Sequence, residues 1–366
     1  SVPQEEIPAK WNALLASDAT SEFEPVAIPL LRLHEIRLPG GGGHHLLTTP
    51  AFLLDEFSLT RVLLDLLLTL GQSPMAPAGA LPEPLKPKGW NEFLKGATAP
   101  MALEPRFGDG SFTRASVLLH REKTAVFAKF CLDHDLEESL VIRCLWSLLL
   151  RRFGASGNVM LALFDGRGDS TEAGFFQSRV PVVHSWNGSV RDWLANAQTL
   201  TDTMSENIWI DPDEILKAAG LDFFPGDIAV SFVWNGSSIN DNIHTALPRW
   251  INFDAQLQHV TPRGLVLEAR PGTRLELSLS GPFSSDATAK EILARLAALV
   301  TGLPEFHSKP VTRVPVLLPP EIRTLREWSR GPEIAQQPSS VVEAFRKVVE
   351  KHGDSVAVKF GDYGMT

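Results

Sequence analysis

An apolar run over residues 46–54 ends in the acidic pair Asp55-Glu56, and an amphipathic stretch over residues 57–70 follows. Carboxylates where a buried strand turns into a covering helix could move a proton or hold a cation. Glu56 therefore reads either as a base or as a solvated turn carboxylate, the commoner fate of an acidic residue in a turn. His44-His45 follow the glycines at 40–43, which predicts an exposed turn. No further metal ligand stands at a helpful spacing from them. His120, His134, His184, His244 and His259 are isolated in the chain, and each is expected to be a surface or satisfied strand residue. Asn235 stands before Gly236, as a turn residue at a strand end would. The chain contains no nucleophile elbow, Walker loop or dinucleotide fingerprint.

Positioning such residues requires strands and helices, and the apolar spacing predicts both. Strands are expected over 26–38 and 46–54, joined as a hairpin through the tetraglycine turn, and then a helix over 57–70. Residues 1–21, with Trp11, Leu14 and Leu15 spaced for one helix face, are expected to cap this part. Residues 72–110 form a proline-rich crossing without a clear period. Beyond it the pattern predicts a strand over 111–119, helices over 122–134 and 136–153, and strands over 159–164 and 180–184. Helices over 190–204 and 212–219 and strands over 227–234 and 250–260 follow. The clearest hairpin pairs 264–270 with 274–280 around Pro271-Gly272, and a helix over 287–300 closes this core. Residues 304–340 shift to proline-rich linker composition with one short helix at 320–328. A helix over 340–351, capped by Ser339 or Ser340, and a strand over 356–360 come last. Alternating sheet and covering helices define an α/β or α+β chain.

Composition narrows the function. The 366 residues are 44% hydrophobic and 21% charged, enough for two domain-sized cores. A formal charge of -9 without a Lys/Arg block argues against nucleic acid as a partner. Charges at Asp55, Glu56, Arg61 and Asp65 interrupt the greasiest run, so no membrane span is expected. Cys131 and Cys144 lie in apolar helical surroundings and read as buried small residues. Two cysteines give no disulfide framework, and with an N-terminus lacking the basic start of a secretion signal they point to the cytoplasm. The Asn-Gly-Ser triplets at Asn187 and Asn235 then read as turns rather than glycosylation sites.

Several segments resemble the condensation domains of nonribosomal peptide synthetases. Residues 46–58 resemble the segment that carries the family's His-His-x-x-x-Asp-Gly signature; with Asp55 as anchor, Pro50 and Ala51 take the histidine positions and Glu56 the glycine. Counting instead from His44-His45 puts Thr49 and Pro50 in the Asp and Gly slots, and that register fails. Asp165-Gly166-Arg167 resembles the Gly-Arg turn after the central strand. Residues 174–182 are similar to Gly-x-Phe-x-Asn-x-x-Pro-Leu with Ser178 for the usual Asn, and residues 227–235 to Phe-x-Val-x-Phe-Asn with Asn235 retained. Residues 308–326 resemble the exit linker, and residues 341–366 the opening of an adenylation domain.

The resemblance implies a two-lobed fold similar to chloramphenicol acetyltransferase, with a shortened N-terminal lobe over 1–110 and a second lobe over 111–306. A linker over 307–339 and the beginning of an adenylation domain over 340–366 complete the organisation. It implies no directly bound cofactor, but partner carrier proteins bearing phosphopantetheine arms and an adenylation domain in cis. In such a domain an imidazole near neutral pKa handles the amine proton, and losing a general base costs about 10²–10⁴ in rate. Neither Pro50 nor Ala51 can move a proton, so the expectation is a degenerate platform without normal amide formation. The rival expectation is an active transferase with a non-standard base, Glu56, and with Asn235 lining the tunnel. Asp55 is expected to hold its loop through an ion pair with Arg61 or Arg167.

Overall fold

The computed structural model describes residues 3–21, 23–24, 30–38, 42–50, 53–54, 58–59, 62, 90–103, 112–165, 177–204, 211–234, 264–283, 285–331 and 340–366. These fall into two compact units, Ser1–Val316 and Leu317–Thr366. The first opens with helix α1 (Ile7–Thr20) and the antiparallel pair β1 (Arg32–Arg37) and β2 (Gly43–Thr48). After the short helix α2 (Trp90–Phe93) come β3 (Phe112–Leu118), α3 (Arg121–Asp133), α4 (Glu138–Arg152), β4 (Val159–Asp165) and β5 (Gln177–Val183). Helices α5 (Val190–Met204) and α6 (Pro212–Ala218), strands β6 (Val230–Trp234), β7 (Leu265–Arg270) and β8 (Glu276–Pro282), and helix α7 (Asp286–Phe306) follow.

Six strands form one mixed sheet in the order β3-β8-β7-β6-β4-β5. Its centre, β4-β6-β7, is parallel, and antiparallel partners flank it on both sides. One face is apolar: Leu265, Leu267 and Ala269 of β7 and Leu277 and Leu279 of β8 are buried in the cluster that holds α3, α4 and α7. Eleven consecutive residues of α4, Leu140 to Leu150, are buried, so this helix is wrapped on all sides rather than along one stripe. Helix α7 shows the stripe pattern instead, with Ala289, Ile292, Leu293, Leu296, Leu299, Val300, Leu303 and Phe306 buried. Gly157, at φ +67, passes so close to the chain at Ala99 and Pro100 that a Cβ would meet the Pro100 carbonyl oxygen. Only glycine allows residues 99–102 to bridge to β4 and its approach there.

Several boundaries differ from the sequence expectations. The hairpin closes at Arg37↔Gly43, so β2 starts earlier and stops at Thr48 rather than running to residue 54. His44 and His45 consequently lie on the strand, not on a turn, although both are exposed. Helix α2 interrupts the crossing expected to be aperiodic, because Trp90 and Phe93 are both buried. Helix α7 passes the expected stop at residue 300, with Pro304 inside it. An interior proline costs about 3 kcal/mol, and burying Leu303 and Phe306 on the core stripe offsets that at about 1.5–3 kcal/mol each. The strand expected over 250–260 lies outside the described residues.

The second unit contains α8 (Pro319–Arg330), α9 (Val341–His352) and the hairpin of β9 (Val358–Phe360) and β10 (Tyr363–Met365). Ser340 caps α9, its hydroxyl accepting from the Glu343 amide at 3.2 Å. No helix of the described residues is long and apolar enough to cross a membrane.

Candidate functional site

The described part of the motif segment hangs from the β1–β2 hairpin, and one carboxylate organises that hairpin. Asp18 projects from α1 and is 7% exposed. Its Oδ1 accepts from Arg32 Nε at 3.0 Å and lies 3.2 Å from His34 Nε2; its Oδ2 accepts from Thr48 Oγ1 at 2.6 Å. Arg32 belongs to β1 and pairs with Thr48 of β2, so one anion grips both strands. The same guanidinium donates to the carbonyls of Asp18 and Ser21 and lies 4.0 Å from the centroid of the Phe23 ring. Burying a carboxylate is costly without partners, and these donors and the arginine charge compensate it. The strand then leaves directly into the motif: Thr49 Oγ1 donates to the Leu30 carbonyl at 3.2 Å, and the Leu53 amide donates to the Pro50 carbonyl at 3.0 Å.

Pro50 is thus placed, half-buried, at the end of an anchored hairpin. Ala51, Asp55, Glu56, Arg61, Arg167 and Asn235 lie outside the described residues, so no partner of Asp55 is assigned. The strands that precede two of them are described, however. Leu163 of β4 pairs in parallel with Val233 of β6, and Asp165 of β4 pairs with Gln177 of β5. Among the described residues of the three motif segments, Asp165 at the end of β4 therefore lies beside the start of β5, and the end of β6 lies on the other side of β4, where the parallel strands end. Ends of parallel strands are the usual place for loop-borne function in α/β architectures.

Polar groups elsewhere in the unit hold structure. On the sheet face opposite α4 and α7, Arg114 of β3 reaches across β8 to Glu268 of β7 at 2.9 Å, and Arg270 Nη2 lies 3.7 Å from the same carboxylate oxygen. Glu268 is only 2% exposed, and Ser278 and Ser280 of the intervening strand leave room for the crossing guanidinium. Inside the helical layer, Arg143 of α4 donates to Thr201 of α5 at 3.1 Å. His184, just past β5, is 3% exposed, and its Nε2 has no hydrogen-bond partner among the described residues. Burial, followed by the charge of Arg143, holds this imidazole well below the ordinary histidine range, so it stays neutral. Burial pushes the Cys131 thiol up to about 12 and the Cys144 thiol to about 11, which suits the reading of both as inert core residues. Among the described residues no group of three or more His, Cys, Asp or Glu could hold a metal ion.

Sequence reasoning missed Asp18, Arg32 and His34. A signal existed for the first: residues 11, 14, 15 and 18 share one helical face, and an acidic residue on an apolar stripe demands a partner. Arg32 and His34 carry no comparable signal, because their meeting with Asp18 depends on tertiary packing.

No family model matches the chain. The chain is similar to a linear gramicidin synthase polypeptide of Brevibacillus parabrevis, 23% identical over 394 aligned positions that cover 98% of this chain and 5% of that protein. The chain thus spans a small fraction of the length of this curated relative. Among solved structures, a four-domain nonribosomal peptide synthetase bound to AMP and glycine superposes with a TM-score of 0.71 at 14% identity, covering 95% of this chain and 30% of that one. The X-domain from teicoplanin biosynthesis gives 0.66 at 14% identity, covering 86% and 80%. The first condensation domain of the calcium-dependent antibiotic synthetase gives 0.59 at 13% identity, covering 86% and 78%. The chain has the α/β fold of nonribosomal peptide synthetase condensation domains.

Proposed function

We propose that this chain is a condensation-like domain of a nonribosomal peptide synthetase that does not form amides in the normal way. It serves instead as a cytoplasmic platform for an adjoining adenylation domain and for carrier proteins with phosphopantetheine arms. The observation that carries this reading is the sequence Pro50-Ala51, which stands where the resembled motif has its two histidines, just after a hairpin that is anchored through Asp18. A fold retained around a lost proton acceptor is the expected mark of a scaffold, since the acceptor accounts for about 10²–10⁴ in rate. That such a fold can serve in docking has support in a neighbour: the teicoplanin X-domain has been solved in complex with OxyB. The helix, turn and strand pattern of residues 341–366 supports an adenylation domain as the neighbour in cis.

The deciding experiment supplies donor and acceptor groups on loaded carrier proteins and measures amide formation by mass spectrometry, with carrier binding followed in parallel. Binding without enzyme-like turnover is the expected result. Turnover at enzyme-like rate that Glu56→Gln abolishes would establish the alternative, an active transferase with a non-standard base; Asn235→Ala would then test the tunnel role of Asn235.

A further inference from the structure

The stretch that leaves α7 is clamped to the rest of the first unit around the start of α5. The Arg191 amide donates to the His307 carbonyl and the Val190 amide to the Lys309 carbonyl, both at 2.9 Å, while the Val311 amide donates to the Gly188 carbonyl at 3.0 Å. Arg152 Nη2 of α4 adds bonds to the carbonyls of Val311 and Thr312 at 3.2 and 2.7 Å. Val311 and Val314 are buried. At the root of this clamp three rings meet. His134, at the end of α3, stacks on Phe130 at 4.1 Å between centroids, and His307, at the end of α7, stands edge-on to both, 4.5 Å from His134 and 4.9 Å from Phe130. His307 is 6% exposed.

We propose that this two-imidazole contact is an acid-sensitive latch: protonation of His307 against the facing His134 ring releases residues 307–314 from the rest of the first unit while the sheet core remains folded. His134 Nδ1 is 2.8 Å from the Phe130 carbonyl, so that nitrogen carries the hydrogen and the ring is held in place against His307. The charged groups facing His307 are His134 from α3 and Arg191 and Asp192 from α5. Cys131 of α3 remains a neutral thiol. His307 sits at a helix C-terminus, where the macrodipole favours a cation. Burial, His134 and Arg191 act against that and outweigh Asp192, so His307 lies below the ordinary histidine range. The sign follows. A histidine held low when docked gains affinity for a proton when released, so the docked state is favoured above the ordinary histidine pKa and weakens as pH falls through it. One proton taken up on opening raises the opening constant at most about tenfold per pH unit.

Hydrogen exchange by mass spectrometry on the whole chain, corrected for the intrinsic pH dependence of exchange, tests this between pH 7.5 and 5.5. The expected result is a rise of up to about tenfold in exchange of residues 188–191 and 309–314 in the wild type, with β7 and β8 still protected. His134→Phe and His307→Phe keep an aromatic ring and the backbone clamp; His307→Phe should flatten the local response, and His134→Phe, which removes one of the groups acting on His307, should weaken it. His184, neutral in the core, imposes an acid sensitivity of its own on the fold as a whole. A response shared equally by β7 and β8, an unchanged response in both variants, or constant protection across the range each overturns the latch. If one variant fails to fold, the other decides.

Discussion

Helices α4 and α9 carry similar residues and meet opposite fates. Eleven residues of α4 are buried in succession, whereas α9 has no buried residue and leaves Val341 87% and Phe345 64% exposed. In the same way Phe127 of α3 is 1% exposed and Phe360 of β9 is 85% exposed. Hydrophobicity fixes what a side chain seeks; its energetic weight comes from the layers that surround it. The sheet core supplies those layers in the first unit. The second unit, with two helices and a two-stranded hairpin, does not provide them among its own described residues.

The largest effect should come from one substitution made in both places. Phe127→Ala removes a ring from the cluster holding α3, α4 and α7 and is expected to destabilise the first unit by about 3–5 kcal/mol. Phe345→Ala removes the same atoms from an exposed helix face and should change stability by no more than about 0.5 kcal/mol. Urea unfolding monitored by tryptophan fluorescence measures both. A comparable loss for the two variants would mean that α9 is covered in solution, and the contrast between the units would fail.

A second contrast lies inside the first unit, between its apolar core and its polar hairpin. Asp18→Ala leaves Arg32, His34 and Thr48 without their common acceptor and should cost roughly 1–3 kcal/mol. Exchange should rise first in β1 and β2, with β7 and β8 unaffected. Asp18→Asn retains an acceptor and should cost less. Equal losses for Ala and Asn would show that the charge, which both variants remove, carries the effect and that the hydrogen bonds an amide can keep contribute little.

This division also explains what could be read from the chain. Helix α5 was legible to the residue, Val190–Met204, because its apolar spacing is regular. The β7–β8 hairpin was legible from Pro271-Gly272 between two apolar runs. Strand β2 was misplaced because four glycines hide where a turn ends, and pairing with β1 decides it. The run of α7 beyond residue 300 was missed because Gly302 and Pro304 are local stop signals that long-range burial overrides. Of the candidate site, the adjacency of β5, β4 and β6, the strands that carry the described parts of three motifs, became visible only through strand order. The Asp18 hub joins residues up to 30 positions apart, beyond the reach of any periodicity.

The smallest expected effect sharpens the comparison of the two units most directly. Ser285 and Ser340 are equivalent caps: each hydroxyl accepts from the amide three residues on, Thr288 at 3.3 Å and Glu343 at 3.2 Å. A cap acts on its own first turn, so Ser285→Ala and Ser340→Ala should each remove about 1 kcal/mol from their helices. Helix α7 is fixed by its buried stripe, and the loss there should appear in the global unfolding of the first unit. Helix α9 has no buried residue to transmit the change, so Ser340→Ala should appear as fraying, seen as faster amide exchange at residues 341–344 with the unfolding midpoint of the first unit unchanged. A shift of that midpoint by Ser340→Ala would show that the two units unfold as one, and the exposed faces of α9 and the β9–β10 hairpin would then have to be reckoned as part of a shared core.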